Sequence, residues 1–397
     1  MKERKMTVSK KTITYLLLLF IWLPAYSMYS FIPGASKILL MLRLASSILI
    51  LMKNWGMRIY KECLIIIGFS TIEIITTALH NSSKLLNVIE FCACITAMYV
   101  FFVNLSTNEK KHFREAIAFL SLVYVVGSVI VCFSIPNEIR EDLGLHFFIS
   151  SRANTAQTMI CLLALLIALD YKIVGKISNI SFIVIGLTAL DMIGLHSGQG
   201  IIMIGIIVVT LFVFTRDGNH KLLRLFSPCG VYIANIFLNW LIISQVYRKV
   251  KFITHFITDV LHKDVTLTGR DVIYNNIVAI YLGSPWLGYG YENNIVENAL
   301  SRFAAGYNSA HNSPFQLLIE VGLIGFLFFS VLVFYVLVRL RKANTRQSYI
   351  LYGAIIAFLI GGIASLAYYN IYFYVLIMFC IGMYTDDISE ERSDSHI

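Results

Sequence analysis

Residues 314–338, PFQLLIEVGLIGFLFFSVLVFYVLV, form one apolar run interrupted by a single ionisable side chain, Glu320. A membrane-spanning helix needs about 20 mainly apolar residues, and this stretch supplies them with no further charge until Arg339. The residues before it differ in kind. Ala310-His311-Asn312-Ser313 is short and polar, and it sets a histidine at the mouth of the run. Glu320 lies more than two helical turns further in, where a carboxylate is costly in lipid, so it is expected to face the protein interior.

Moving outward, similar runs recur along the chain. Hydrophobic residues make up 58% and charged residues 14% of the 397 positions, far from a soluble average. We place spans near 13–32, 36–52, 63–79, 86–103, 113–135, 153–170, 177–195, 198–214, 226–246, 314–338, 349–366 and 368–384. The last two need a turn near Ser365–Asn370. The fold class expected is an all-α polytopic membrane protein of about 12 transmembrane helices, with residues 1–397 forming one integral membrane domain. The first apolar run follows a basic segment (Lys2, Arg4, Lys5, Lys10, Lys11) and has no small-residue cleavage site. It is expected to stay as a span rather than be removed as a signal peptide.

Lys and Arg enrich cytoplasmic loops. With the N-terminus inside, 21 of the 32 fall on inner segments and 10 on outer ones, with Arg43 inside a span. Both termini are therefore expected in the cytoplasm. The net charge of +9 is then mostly this topology signal. It gives no reason to expect nucleic acid, and it suits a bilayer with anionic headgroups. Residues 385–397 read as an acidic cytoplasmic tail, solvated and unstructured. The seven cysteines all lie in or beside apolar spans, so no disulfide-stapled ectodomain is expected. Cys92-x-Cys94 has a spacing that turns the thiols to different helix faces, which suits packing better than a metal. No inverted repeat relates the two halves, and no phosphate-binding loop of the Gly-x4-Gly-Lys type occurs.

Residues 247–313 form one long extracytoplasmic loop between two spans, and loops of that length are usually functional. Within it, Leu267–Tyr281 has a helical apolar period, with Val272, Ile273, Ile277 and Ile280 on one face. Thr268 can cap that helix, which puts Arg270 and Asp271 in the first turn, where backbone amides and a guanidinium suit an anion. Pairing of Arg270 with Asp271 or with lipid headgroups stays open. His311 can take a proton near neutral pH, or can equally serve as a surface or capping residue. Trp286, Tyr289, Tyr291 and Tyr307 suit stacking on sugars and equally suit an interface belt. Asp259, Asp264 and Asp271 lack metal-ligand spacing, so neither a metal nor another cofactor is expected. Arg43, Glu73, Glu90 and Asp191 fall in spans, where we expect Arg43 to pair with an acid and Asp191 to lie under the cleft.

An ordered series connects these points: Arg152-Ala-Asn154-x-Ala156, Ser197-Gly-Gln-Gly200, Gly269-Arg270, Pro285-x-x-Gly288-x-Gly290 and Ala310-His311-Asn312-x9-Gly322-Leu-x-Gly325. Taken together it resembles the O-antigen ligase and polymerase family of bacterial polytopic glycosyltransferases. The resemblance covers roughly 150–340. It implies a GT-C-like arrangement and a bacterial cytoplasmic-membrane location. It also implies an undecaprenyl-pyrophosphate-linked oligosaccharide donor, a glycan acceptor, and room for polysaccharide export or chain-length partners. Carried over residue by residue, Arg152 and Arg270 hold the donor pyrophosphate, Asn154 and Asn312 bind substrate, and His311 is the catalytic base. The expected reaction is metal-independent and inverting. One departure is plain: relatives often carry Ser-Arg-Gly where this chain has Gly198-Gln199-Gly200, so no charge contact is expected there. A repeat-unit polymerase for capsule or exopolysaccharide is the leading expectation, since the chain is compact and carries no acceptor module. A ligase passing glycan to a lipid core, wall polymer or protein is next, and a flippase or transporter third.

Overall fold

The three-dimensional structure is a computed structural model. It describes residues 9–25, 32–55, 60–135, 148–215, 226–255, 258–259, 270–300, 309–368 and 370–394. Thr268, Gly269, Asp264, Tyr307 and the segment 136–147 lie outside the described residues. All regular structure among the described residues is helical. The helices are α1 (Lys10–Trp22), α2 (Ala35–Lys53), α3 (Lys61–His80), α4 (Leu85–Val103), α5 (Thr107–Ser134), α6 (Arg152–Val174) and α7 (Asn179–Gly194). They continue with α8 (Gly198–Val209), α9 (Pro228–Ile243), α10 (Asp271–Leu282), α11 (Ser313–Ala343), α12 (Arg346–Gly361) and α13 (Ile371–Asp394). A helix falls on each of the twelve expected spans, though that of the first, 13–32, stops at Trp22, and six helices among the described residues are long and apolar enough to cross a membrane, so twelve crossings are not shown.

Small hydroxyl residues start these helices. Ser106, Ser151, Ser178, Ser197, Ser227 and Thr345 each accept a bond from the backbone N–H three residues on, satisfying a donor that the helix leaves unpaired. Pro228 and Pro314 occupy first-turn positions, where no N–H is needed. Gly175 and Asn344 close α6 and α11 in left-handed conformation. The expected turn between the last two spans exists, as α12 stops at Gly361 and α13 starts at Ile371. The acidic tail differs from expectation. Residues 385–394 continue α13 rather than beginning as an unstructured end.

Burial separates central from peripheral helices. From Thr155 to Asp170, α6 is closed off from solvent on every side, and α12 and α13 pack along it. In contrast, α2 exposes Ile38, Met41, Leu42, Ile48, Leu49 and Met52, the pattern of a lipid-facing helix. Arg43 on α2 does find an acid, with Nη1 3.8 Å from Glu90 of α4. Asp191 accepts from Ser128 Oγ at 3.0 Å, a contact that joins α7 to α5. Glu320 is fully buried, as its position in the run implies.

The apolar run 314–338 is not one continuous helix. At Gly322 the backbone turns to φ 62, ψ −170, and α11 breaks there. A break inside an apolar span strands carbonyls and amides that must be paired within the protein. The Pro285–Gly290 segment supplies the partners. Tyr289 N–H donates to Ile319 O at 2.7 Å and Gly290 N–H to Glu320 O at 2.9 Å. In return, Leu323 N–H donates to Pro285 O and Ile324 N–H to Trp286 O. Gly288 is required by this close approach, since a Cβ there would lie 2.5 Å from the Glu320 backbone while φ is 75. Two of the five spaced motifs are thus halves of one interlock.

Candidate functional site

The break fixes one end of the bundle, called here the site face. Gly290 lies against Thr77, and Asn81 Nδ2 donates to Tyr291 O, so the end of α3 and the start of α4 meet the same loop. At the centre of this face is residues 362–370, the connector between α12 and α13. Its carbonyls gather residues that are far apart in sequence. Asn312 Nδ2 donates to Ile363 O at 2.9 Å and to Asn239 Oδ1 at 2.6 Å. Ser313 N–H donates to Gly362 O, and Ser313 Oγ to Ser365 O. Arg270 Nη1 donates to Ala364 O at 2.5 Å. At the connector's far end, Asn370 Nδ2 donates to Asn154 Oδ1 at 3.0 Å and to Gln157 Oε1 at 2.6 Å. Gln199 closes against Gly361.

Arg270 is the N-cap of α10, with no side-chain cap, so that helix starts at Asp271 rather than directly after Thr268. The alternative pairing with Asp271 is not what forms. Asp271 lies 3.5 Å from Arg248 instead, so among the described residues the Arg270 guanidinium meets the Ala364 carbonyl and the Tyr274 side chain but no acid. Below it, α10 is anchored by an apolar cluster of its own, in which Ile273, Tyr274 and Ile277 pack with Val296, Leu300, Ala310 and Ile319. This cluster docks α10, so the first residues of that helix are held in place.

His311 follows directly from that cluster. Its backbone is left-handed, φ 47, a conformation that costs a non-glycine residue free energy and that surrounding structure has to enforce. The enforcement is visible on both sides. Ala310 N–H donates to Gln316 Oε1 at 2.9 Å, and Gln316 Nε2 donates to Glu320 Oε1 at 2.7 Å. Asn312 caps α11, accepting from Phe315 N–H at 3.1 Å. Burial, together with the nearby Arg270 charge, pushes the His311 imidazole down to about 4. It is therefore neutral at ordinary pH, with a ring nitrogen free to accept a proton.

The sequence-predicted residues divide by role. His311 and Arg270 come together. Arg152 opens α6 and is two residues from Asn154, which the connector holds, so it belongs to the same face. Asn312 is fully buried, and its amide is committed to Phe315, Asn239 and Ile363; it supports the site from within. Asn154 is likewise committed, to Ser150 and Asn370. Among the aromatics, Tyr291 is stacked on Phe91 at 5.4 Å and Tyr289 Oη donates to Ile280 O, while Trp286 stays exposed. Sequence reasoning missed Asn239 and Gln157, and, although it placed a turn near Ser365–Asn370, it missed that this connector gathers residues from across the chain. The one signal was the Gly361-Gly362 pair, which marks a close approach after a long apolar run.

No curated protein matches this chain. Residues 143–330 match the family model described as O-antigen ligase, a range that includes Arg152, Arg270, His311 and both halves of the Gly288–Gly322 interlock. The match covers just under half of the chain and, together with six helices long and apolar enough to cross a membrane among the described residues, makes that part of the chain similar to the O-antigen ligase family.

Proposed function

We propose that the protein is a polysaccharide repeat-unit polymerase. It transfers glycan from an undecaprenyl-pyrophosphate-linked donor to the hydroxyl of a lipid-linked acceptor, without a metal and with inversion. On this reading twelve helices span the bacterial cytoplasmic membrane in a GT-C-like arrangement, both termini are cytoplasmic, and the site face is extracytoplasmic. The single observation that carries the reading is a juxtaposition at the connector. An arginine with no acidic partner among the described residues meets a neutral, strained histidine there.

The chemistry follows from the leaving group. A polyprenyl pyrophosphate departs readily, so three tasks remain: hold it, take the acceptor's proton, and offset the negative charge that grows as the bond breaks. Arg270 serves the first and third, with Arg152 beside it, since a guanidinium fork binds two phosphate oxygens at once. His311, neutral in the empty site, serves the second, and a positioned base contributes about 10²–10⁴-fold. When the pyrophosphate docks it offsets the Arg270 charge, which raises the basicity of His311 at the moment it is needed. Asn312, Asn154 and the connector hold these groups in place.

The test is a set of His311→Ala, Arg270→Ala and Arg152→Ala strains, each with membrane levels checked. Long chains should vanish while single lipid-linked units persist. Normal chain length in the His311 variant would remove its role, and units trapped on the cytoplasmic side would point to transport. Purified protein given only lipid-linked units separates polymerase from ligase, because only a polymerase forms a ladder from them.

A further inference from the structure

A polar cavity opens on the site face against Tyr291 and Glu292, and neither His311 nor the connector lines it. It encloses about 420 Å3 between α2, α4 and that loop, and its walls include Lys37, Arg43, Asn87, Glu90, Tyr291 and Glu292. The size falls within the ~300–1,000 Å3 of small-ligand sites. Nothing in the connector chemistry uses it. We propose that this cavity is a saccharide subsite, binding a neutral sugar of the glycan at a distance from the reacting carbon. It rests on the reading of the protein as a glycan transferase.

Four observations favour that ligand. Glu90 keeps only 7% of its surface exposed, yet among the described residues it makes no hydrogen bond, and its nearest cation is Arg43 at 3.8 Å. A buried carboxylate with unused acceptors needs donors. Arg43 is the complement, since its Nε is spent on Ile21 O at 3.0 Å and its Nη1 stands 3.8 Å from Glu90, a gap longer than a hydrogen bond between two residues that both line the cavity. A sugar hydroxyl gives to one and takes from the other at the same time, as no simple ion does. The charge balance agrees. Glu292 is already satisfied by Lys84 at 2.9 Å and by Asn87 Nδ2 at 3.1 Å, so Arg43 and Glu90 face the ligand as an opposed pair. An anion would meet Glu90 and Glu292, and a cation would meet Arg43 and Lys37. Finally, the rear wall is rigid: Tyr291 stacks on Phe91, and Tyr291 N–H donates to Thr77 Oγ1 at 2.9 Å. Glu292 is held left-handed at φ 46 with its carbonyl on Asn81. The same loop braces the α11 break, so one segment builds both sites.

The probe is the repeat-unit oligosaccharide freed from its carrier by mild acid, so that it has no pyrophosphate. Binding is measured by saturation-transfer NMR on full-length protein in phosphatidylglycerol nanodiscs. Wild type and His311→Ala should bind alike. Glu90→Gln and the half-buried Asn87→Ala should each weaken binding on the order of tenfold or more. Asn87→Ala should keep its thermal midpoint, whereas Glu90→Gln, which loses the Arg43 pair, should lower it. The proposal falls if both variants bind as wild type does, if wild type does not bind, or if Glu90→Gln instead loses a co-purifying phospholipid headgroup. Chain assembly by His311→Ala cells is scored separately. Chains persisting there would remove the transferase reading and leave the binding result standing.

Discussion

On the face opposite the connector, Arg114 Nε lies 2.6 Å from Asp170 Oδ1, and the other carboxylate oxygen takes Ser178 N–H and Ser181 Oγ. Lys11 meets Glu109 at 3.4 Å, and Glu62, Tyr335 and Arg339 form a further linked set. At the connector, Arg270 meets a neutral carbonyl and His311 faces a cation. The site face has ion pairs of its own, Lys84 with Glu292 and Arg248 with Asp271, so an arginine there that meets no acid among the described residues stands out as a place an outside anion could complete. On the proposed reading that difference marks where an anionic substrate binds, and it can be broken by experiment.

The largest expected effect is on transfer. His311→Ala should lower single-turnover transfer by about 10²–10⁴-fold, and Arg270→Ala by about 10²–10³-fold. Both proteins should keep their thermal midpoints, because neither residue closes an ion pair among the described residues. Arg270→Lys, which keeps charge but loses the fork, should recover part of the rate. An Arg270→Ala enzyme of full activity would erase the contrast between the faces.

On the far face the expectation reverses. Arg114→Ala leaves the fully buried Asp170 with hydroxyl and amide partners but no cation. Breaking a buried pair costs about 3–5 kcal/mol, and the low end applies because Arg114 keeps 17% of its side chain exposed. Thermal unfolding and membrane level should drop, while transfer per folded molecule stays near wild type. Loss of turnover without loss of stability would assign Arg114 a part in the chemistry and undo the division between faces.

Much of this architecture is legible in the residue types alone, for a physical reason. Hydrophobic length is a local property, so the twelve runs, Glu320's inward position and the turn before Ile371 all follow from short windows of the chain. Arg270 and His311 stand out because charge is rare here. The break at Gly322 does not show, since a glycine in an apolar run is as compatible with a straight helix as with a broken one. What decides it is the backbone of Pro285–Gly290, remote in sequence. The connector's gathering role is hidden for a similar cause. It binds through the carbonyls of Ile363, Ala364 and Ser365, and every residue has a carbonyl. Asn312 and Asn154 are legible as polar residues in the right place, but whether an amide faces a ligand or a neighbour is a tertiary matter.

The interlock gives a third, smaller test. Gly288→Ala sets a methyl against the Glu320 backbone in a left-handed conformation that costs an L-residue roughly 1–2 kcal/mol before any clash. Because Glu320 steadies Gln316 and hence the His311 backbone, transfer should fall several-fold along with the thermal midpoint. Gly205→Ala, in α8 with open space around its Cβ, is the control and should change neither. Equal behaviour of the two would mean that the break is not what holds His311.

The smallest expected effect is a displacement in pH, and it reports on the contrast most directly. Burial and then Arg270 bring His311 from an ordinary 6.5 to about 4. The imidazole therefore stays neutral as pH falls through 6, whereas in the unfolded chain it takes up its proton near 6.5. Native stability should accordingly decline as pH drops from 6.5 towards 4. In kcat/KM, which reports the free enzyme, the acid limb due to His311 should lie near 4. In kcat, which reports the loaded enzyme, bound pyrophosphate offsets Arg270, so the limb should move up. Arg270→Gln removes the second cause and leaves the first. Its residual kcat/KM limb should therefore rise while stopping short of 6.5. If the wild-type limb already stands at 6.5 and Arg270→Gln leaves it there, the two groups do not sense each other, and the connector loses its claim to be a site for an anion.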